Sequence, residues 1–113
     1  MKIINLNKNS ILAEEILLAD NFLTRLRGLL GFKCFNKNQA MVLRPCNSVH
    51  TFFMHFSIDV LFVDKDNKVV KIVRNMKPFK ATMICLKSKF VIEFPVGVVD
   101  STKSSIGDIL QIQ

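Results

Sequence analysis

Short apolar segments separated by turn residues are the feature that most constrains the fold of this chain. The segments 58–63 and 90–94 are rich in Phe, Val and Ile, and residues 64–68 and 95–97 supply turn chemistry after them. Turns recur at intervals of roughly 8–12 residues, which is typical of β-sandwiches and partly closed barrels. The 113 residues contain no Pro-, Gly- or Ser-rich linker. We therefore predict a single, mainly β domain over residues 1–113.

The strand signals begin with a predicted hairpin whose turn is residues 7–10. Its second arm also has helical propensity, and we favour a strand there. Asn67 can adopt the left-handed conformation that a bulged hairpin requires. The predicted strands are residues 3–6, 11–18, 41–43, 48–56, 58–63, 69–73, 83–86, 90–94 and 109–112.

One short α-helix is predicted near residues 21–30. Asp20 and Asn21 supply an N-cap, and Phe and Leu residues follow at helical spacing. Gly31 stands where a C′ glycine ends a helix. The expected fold class is therefore mainly β, sandwich-like or a partly closed barrel, with one short helix near residues 21–30.

The segment 44–60 is the most unusual part of the sequence. Residues 45–58 contain no Asp, Glu, Lys or Arg, yet they include both histidines, His50 and His55, and one cysteine, Cys46. These three side chains are acceptable zinc ligands. On a regular strand, however, positions 50 and 55 face opposite sides of the sheet, and no paired ligand spacing is present. We therefore predict neither a metal site nor a cofactor.

Nucleophilic catalysis is a second interpretation of the same segment. Cys46, with His50 as its base and Asp59 as the orienting acid, has the chemical ingredients of a hydrolase. No sequence elbow or oxyanion loop marks the thiol as exposed, and a free cysteine is more often a small buried hydrophobic residue. The hydrolase is therefore an alternative and not our leading hypothesis.

The position of Asp59 between Ile58 and Val60 predicts a buried carboxylate. Such a group must be paired, hydrogen-bonded or neutral. The expected structural partners are Arg44, a histidine or the backbone N–H groups of a turn. The functional alternative is a general base or a ligand-binding carboxylate. We favour the structural interpretation.

Charge and cysteine content limit the partners and the compartment. The formal net charge is +7, and the stretch between Asp66 and Glu93 contains seven Lys or Arg residues and no acid. This excess favours an anionic partner, namely nucleic acid, an acidic protein or a membrane surface. A modest basic excess is also common in soluble proteins without such a partner, and we favour that interpretation. Nucleic acid is the weaker choice because the chain has no Trp or Tyr to stack on bases. Three cysteines without a CxxC motif, no signal peptide and no apolar run of about 18 residues predict a cytoplasmic protein.

Five pieces of the chain form a pattern that covers most of its length: residues 25–31, 43–54, 58–64, 94–97 and 107–108. In order and spacing these pieces resemble a bacterial and archaeal family, the domain of unknown function 192 (DUF192). The family favours Trp, Pro, Gly and Ala where this chain has Phe53, Ser57, Asn67 and Val96. The resemblance implies a small β-sandwich-like or barrel-like domain with one short helix, and it implies no known activity.

The candidate site residues come from the motif positions that match this family and from the chemistry of the thiol. They are Arg44, Cys46, His50, Thr51, Asp59 and Asp108. Our leading hypothesis is a noncatalytic, cytoplasmic β-domain that binds an unidentified small ligand or partner protein around residues 44–55 and Asp59. The alternatives are a small hydrolase that uses Asp59, His50 and Cys46, and a basic protein associated with nucleic acid.

Overall fold

A computed structural model of the chain describes residues 1–21, 24, 28–29 and 32–113. Most of the helix predicted near residues 21–30 lies outside the described residues. A four-residue helix, α1, spans Val98–Ser101 and was not predicted. The strands are β1 Ile3–Asn5, β2 Ser10–Ala13, β3 Glu15–Ala19, β4 Gln39–Leu43, β5 Ile58–Val63, β6 Val69–Met76, β7 Phe90–Pro95 and β8 Leu110–Ile112.

The strands form two sheets. The smaller sheet has the order β2-β1-β8, and the larger one has the order β3-β4-β7-β5-β6. Strands β3 and β4 are parallel, and the other neighbouring pairs are antiparallel. The mainly β prediction is therefore confirmed, in the form of two packed sheets and not of a closed barrel over the described residues.

The predicted strand over residues 11–18 is divided at Glu14. The backbone N–H groups of Glu14 and Glu15 both donate to the carbonyl of Asn38, at 3.1 and 3.0 Å. These bonds turn the chain out of the small sheet, where β2 pairs with β1, and into the large sheet, where β3 pairs with β4. The predicted hairpin is therefore correct only as far as Ala13.

Two hydrophobic cores lie on the two faces of the large sheet. The first core lies between the sheets and joins Ile3 and Leu12 to Leu61 and Ile92. The second core covers the other face, where loop residues pack on β5 and β7. Every residue of β5 and β7 is buried, which explains why these strands read as nearly continuous apolar runs.

The predicted strands over residues 48–56 and 83–86 are wrong. Residues 48–56 contain only an isolated bridge between His50 and Ala81. Phe53 is left-handed, with φ of 65°, and the N–H of Met54 donates to the carbonyl of Thr51 in a turn. Both segments are loops, in which Val49, Met54 and Cys85 pack on the second core while the backbone hydrogen bonds run between the two loops.

The hairpin between β5 and β6 has the turn that the sequence predicts. Asn67 has φ of 61°, and Asp64 Oδ1 accepts the N–H groups of Asp66 and Lys68 at 2.8 and 3.0 Å.

Among the described residues, no helix has the length and apolar character needed to cross a membrane.

Candidate functional site

Asp59 is buried in β5 and is held by backbone groups. Its Oδ1 accepts the N–H of Asn75 at 2.9 Å, and its Oδ2 accepts those of Gly97 and Val99 at 3.0 and 3.2 Å. The residue is 1% exposed. Its carboxylate therefore ties β6 to Gly97 and to the start of α1. Of the structural partners that the sequence left open, namely Arg44, a histidine or backbone N–H groups, the structure has the backbone N–H groups.

Gly97 makes this arrangement possible. It has φ of 100°, a left-handed conformation that glycine adopts without a side-chain clash. The turn at Gly97 directs the N–H groups of Gly97 and Val99 onto one carboxylate oxygen. Sequence and local backbone chemistry thus explain why an acid is tolerated inside an apolar strand.

Asp108 belongs to a separate network beside the small sheet. Its carboxylate accepts the Asn5 side-chain amide at 2.9 Å, the Lys8 ammonium at 2.9 Å and the Ser105 N–H at 2.9 Å. Desolvation by itself raises the pKa of this carboxyl group, but these hydrogen bonds and the Lys8 charge outweigh it and hold the pKa below its ordinary value. Asp108 therefore fastens the C-terminal segment to β1.

Thr51 connects two loops. Its hydroxyl donates to the carbonyl of Lys77 at 2.6 Å and accepts the N–H of Lys80 at 3.0 Å. Its own N–H donates to the Lys80 carbonyl at 2.8 Å, and its carbonyl accepts the N–H of Phe79 at 3.0 Å. Because Thr51 is fully buried, these bonds are shielded from water.

Further bonds extend this connection along both loops. Val49 and Thr82 exchange two bonds, in which the Val49 N–H donates to the Thr82 hydroxyl at 2.9 Å and the Thr82 N–H donates to the Val49 carbonyl at 2.8 Å. The Cys85 N–H donates to the carbonyl of Asn47 at 2.8 Å. Residues 47–54 and 77–87 thus form one continuous surface, which we call the two-loop surface.

Large apolar side chains protrude from the two-loop surface. Phe53 is 74% exposed and Phe79 is 61% exposed, with their rings in edge contact at 5.7 Å between centroids. Met83, Ile84 and Leu86 are 83%, 64% and 86% exposed. The turn at residues 51–54, where a strand over residues 48–56 was predicted, directs Phe53 outward.

A basic groove adjoins these apolar side chains. It has a volume of about 430 Å³, and Lys71, Arg74, Lys77 and Lys80 line it together with Met83. Arg74 forms an ion pair with Asp100 at 2.8 Å. The four basic residues that line the groove come together there because β6 ends at Met76 and a loop follows.

His50 and Cys46 are not brought to Asp59. The ring of His50 is exposed and stacks on Phe52 at 5.2 Å. Cys46 is half-buried, and its thiol donates to the Ser48 carbonyl at 3.1 Å. Both belong to the loop over the second core, whereas Asp59 faces the first core, since Ile58 and Val60 on either side of it face the second.

The remaining candidates have separate environments. The guanidinium of Arg44 lies over the ring of Phe90, 4.3 Å from its centroid. His55 is exposed. Within the described ranges, no three His, Cys, Asp or Glu side chains come close enough together to hold a metal ion.

Glu93 is a buried acid that the sequence analysis missed. It is 4% exposed in β7 and faces the second core between Met41 and Val60. Burial raises its pKa to about 8, so the carboxyl group is mostly protonated at neutral pH. No hydrogen bond to this carboxyl group is found among the described residues. The sequence feature that could have identified Glu93 is its position inside the apolar run of residues 90–94.

Comparison with known proteins agrees with the pattern in the sequence. The DUF192 family, described as "Uncharacterized ACR", matches residues 3–112. A UPF0127 protein of Thermococcus sibiricus is 37% identical over 94% of this chain and 71% of its own length. A UPF0127 protein of Pyrococcus horikoshii is 36% identical over 94% of both chains.

The fold is also similar to a solved structure. A Novosphingobium aromaticivorans protein of unknown function superposes with a TM-score of 0.84 and 16% identity, over 98% of this chain and 82% of that one. At this identity the likeness concerns the fold alone. The family match covers nearly the whole chain and states no activity, and by it this chain belongs to the DUF192 family.

Proposed function

We propose that this protein is a noncatalytic binding domain and that the two-loop surface is where it binds its partner. The observation that carries this proposal is the exposure of Phe53, Phe79 and Met83 on loops that Thr51 holds in place. Exposed apolar side chains that cluster on a bonded framework mark interaction sites more often than isolated exposed ones do. The function is therefore binding through a preformed surface.

The hydrogen bonds that Asp59 and Thr51 form within the protein support a binding function over the hydrolase alternative. Both carboxylate oxygens of Asp59 accept backbone N–H groups, and the hydroxyl of Thr51 joins two loops. A general base must reach its substrate or its histidine within hydrogen-bond distance. Asp59 faces the first core, whereas His50 is exposed on the loop that covers the second core. This separation supports a structural role for Asp59.

The shape of the surface favours an extended partner, such as a protein or another large surface. Side chains that are 61–86% exposed protrude from the molecule and do not line a closed cavity. Small-ligand sites are usually concave and mostly apolar. A small ligand remains the second candidate at a different place, a cleft of about 330 Å³ that Arg44 and Asp20 line with Leu18 and Val42.

We place this role in the cytoplasm. Cys34 is exposed, Cys46 and Cys85 are half-buried, and no disulfide joins any two of them in the described part of the chain. Proteins of oxidising compartments usually pair their cysteines. Three cysteines that are not paired with one another support a reducing compartment, as does a sequence without a CxxC motif.

Site-specific photo-crosslinking in living cells tests the binding surface. A photoreactive amino acid replaces Phe53 or Met83 and, as a matched control, the 66% exposed Ile106, which lies outside the two-loop surface. We expect a discrete adduct at positions 53 and 83 and none at position 106. Equal labelling at all three positions, or labelling at none, would contradict the proposal.

A further inference from the structure

We propose that the partner of the two-loop surface is the anionic face of a lipid bilayer. This inference rests on the proposed function, since it names the partner of the same surface. Aliphatic side chains of the loop 77–87 enter the region between lipid headgroups, while neighbouring lysines contact the lipid phosphates. The protein then lies on the membrane without crossing it.

The apolar part of the surface has the composition of an interfacial site. Met83, Ile84 and Leu86 are each at least 64% exposed and lie within four successive residues. Phe79, in the same loop, is 61% exposed. Membrane-surface elements combine such apolar side chains with lysines at their edges. Lys80 and Lys87 stand on either side of the aliphatic group.

The basic groove supplies the matching charge. Lys77 and Lys80 line it beside Met83, so a phosphate held there would leave the acyl chains next to an apolar side chain. Neither lysine forms an ion pair within the part of the chain that the structure describes. Residues 67–92 contain no acid, and the acid that reaches the groove, Asp100, is paired with Arg74. Each lysine near an anionic membrane adds attraction that falls off within a Debye length.

A second copy of the chain fits this surface poorly. A symmetric dimer would bring the same patch from both protomers together. Lys77, Lys80 and Lys87 would then face their own copies, and like charges at an interface weaken it. The charge of the surface therefore favours a negative partner.

Nucleic acid and proteins also fit the two-loop surface less well than an anionic membrane does. Met83, Ile84 and Leu86 have no π face on which a base can stack. The ring of Phe79 is engaged edge-on by Phe53, with 73° between the planes. Lysine is depleted at the core of protein interfaces, whereas lysines beside aliphatic side chains are typical of membrane-surface sites.

Vesicle co-sedimentation of the full chain tests the inference. The probes are phosphatidylcholine vesicles with and without about one third phosphatidylserine, in about 50 mM and about 500 mM salt. One variant removes the apolar side chains (Met83→Ser, Ile84→Ser, Leu86→Ser) and the other removes charge (Lys77→Gln, Lys80→Gln). The control for the apolar variant is Ile106→Ser, and the control for the lysine variant is the double substitution Lys65→Gln with Lys103→Gln. All three positions are exposed and lie outside the two-loop surface.

We expect wild type to bind the anionic vesicles and not the neutral ones, and to be released by high salt. The lysine variant should bind about 25-fold more weakly in low salt. The apolar variant should lose about tenfold or more, since its exposed side chains no longer enter the interface. Both control variants should bind as wild type does, and circular dichroism spectra of all variants should match.

Three results would overturn the lipid assignment: no vesicle binding, equal binding to neutral vesicles, or binding that the two surface variants leave unchanged. If position 83 in cells is cross-linked to a protein or RNA while vesicles are not bound, the lipid inference fails and the binding proposal stands. If positions 53 and 83 give no selective adduct and vesicles are not bound, both fail.

Discussion

Asp59 and Glu93 occupy successive register positions on the paired strands β5 and β7, on opposite faces of the large sheet. Asp59 lies opposite Phe94, and Glu93 lies opposite Val60. Asp59 faces the first core and accepts three backbone N–H groups, whereas Glu93 faces the second core, where burial raises its pKa to about 8. One acid therefore strengthens the fold, and the other costs stability when it ionises.

The Asp59→Asn variant should be markedly less stable than wild type. The amide keeps one acceptor oxygen and turns an NH2 group toward backbone N–H donors, so at least one of Asn75, Gly97 and Val99 loses its partner. A buried donor without a partner costs about 1–3 kcal/mol, and we expect a loss of about 2–4 kcal/mol in the free energy of unfolding. Urea denaturation measures it.

Asp100→Asn is the matched control for that measurement. Asp100 pairs with Arg74 at 2.8 Å, but its side chain is 72% exposed. Exposed pairs contribute about 0–1 kcal/mol. Equal losses from both variants would show that Asp59 has no special structural role.

Glu93 should make the protein less stable as the pH rises. The folded state holds the carboxyl proton up to a pH of about 8, whereas the unfolded chain releases it near the ordinary pKa of about 4.3. Stability is therefore highest below about pH 4.3, falls up to about pH 8 and is constant above it, with respect to this group. The fall amounts to about 3–5 kcal/mol.

The Glu93→Gln variant isolates this effect, because Gln has nearly the same shape and does not ionise. We expect the difference in unfolding free energy, Gln variant minus wild type, to increase steadily between pH 5 and pH 8, as measured by urea denaturation at several pH values. Parallel pH profiles of the two proteins would refute the assigned role of Glu93.

Thr51→Val should loosen the two-loop surface. It removes the hydroxyl that bonds the Lys77 carbonyl and the Lys80 N–H. We expect a loss of about 1–3 kcal/mol and faster amide hydrogen exchange at Thr82, whose N–H joins the same loops. Thr51→Ser retains the hydroxyl and should stay closer to wild type. A Val variant as stable as the Ser variant would contradict this prediction.

Asp108 should contribute stability at neutral pH that is lost in acid. Its folded pKa is lowered, so the ionised form is favoured above the unfolded value of about 3.9, and the contribution disappears as the pH falls through the folded pKa. Asp108→Asn should therefore cost about 1–3 kcal/mol at pH 7 and progressively less in acid. Thermal melting at pH 7 and pH 3 measures the difference; an equal loss at both pH values would be the contrary result.

Much of the large sheet could be predicted because its signals are local. The apolar runs of β5 and β7 and the Asn67 turn each depend on a few neighbouring residues. The burial of Asp59 followed from the same reasoning, since an acid within such a run must be hydrogen-bonded or neutral. The identity of its partners did not follow, because Arg44, a histidine and backbone N–H groups all fitted the sequence.

Only part of the candidate site could be predicted from such local sequence signals. Thr51 and Asp59 were selected from their motifs, but their partners lie far along the chain, at Lys77, Lys80 and Gly97. The strand prediction for residues 48–56 was wrong because apolar residues that pack a loop on a core resemble those of a strand.

The sequence by itself determined that this is a mainly β domain with a buried acid in the strand over residues 58–63 and a basic stretch without acids. Only the tertiary structure decided that β3 joins the large sheet, that Glu93 faces an apolar core and that Phe53, Phe79 and Met83 point outward together. The physical reason is range. Strand propensity and turn chemistry act between neighbouring residues, whereas burial, pKa and surface composition depend on which distant segments pack against each other.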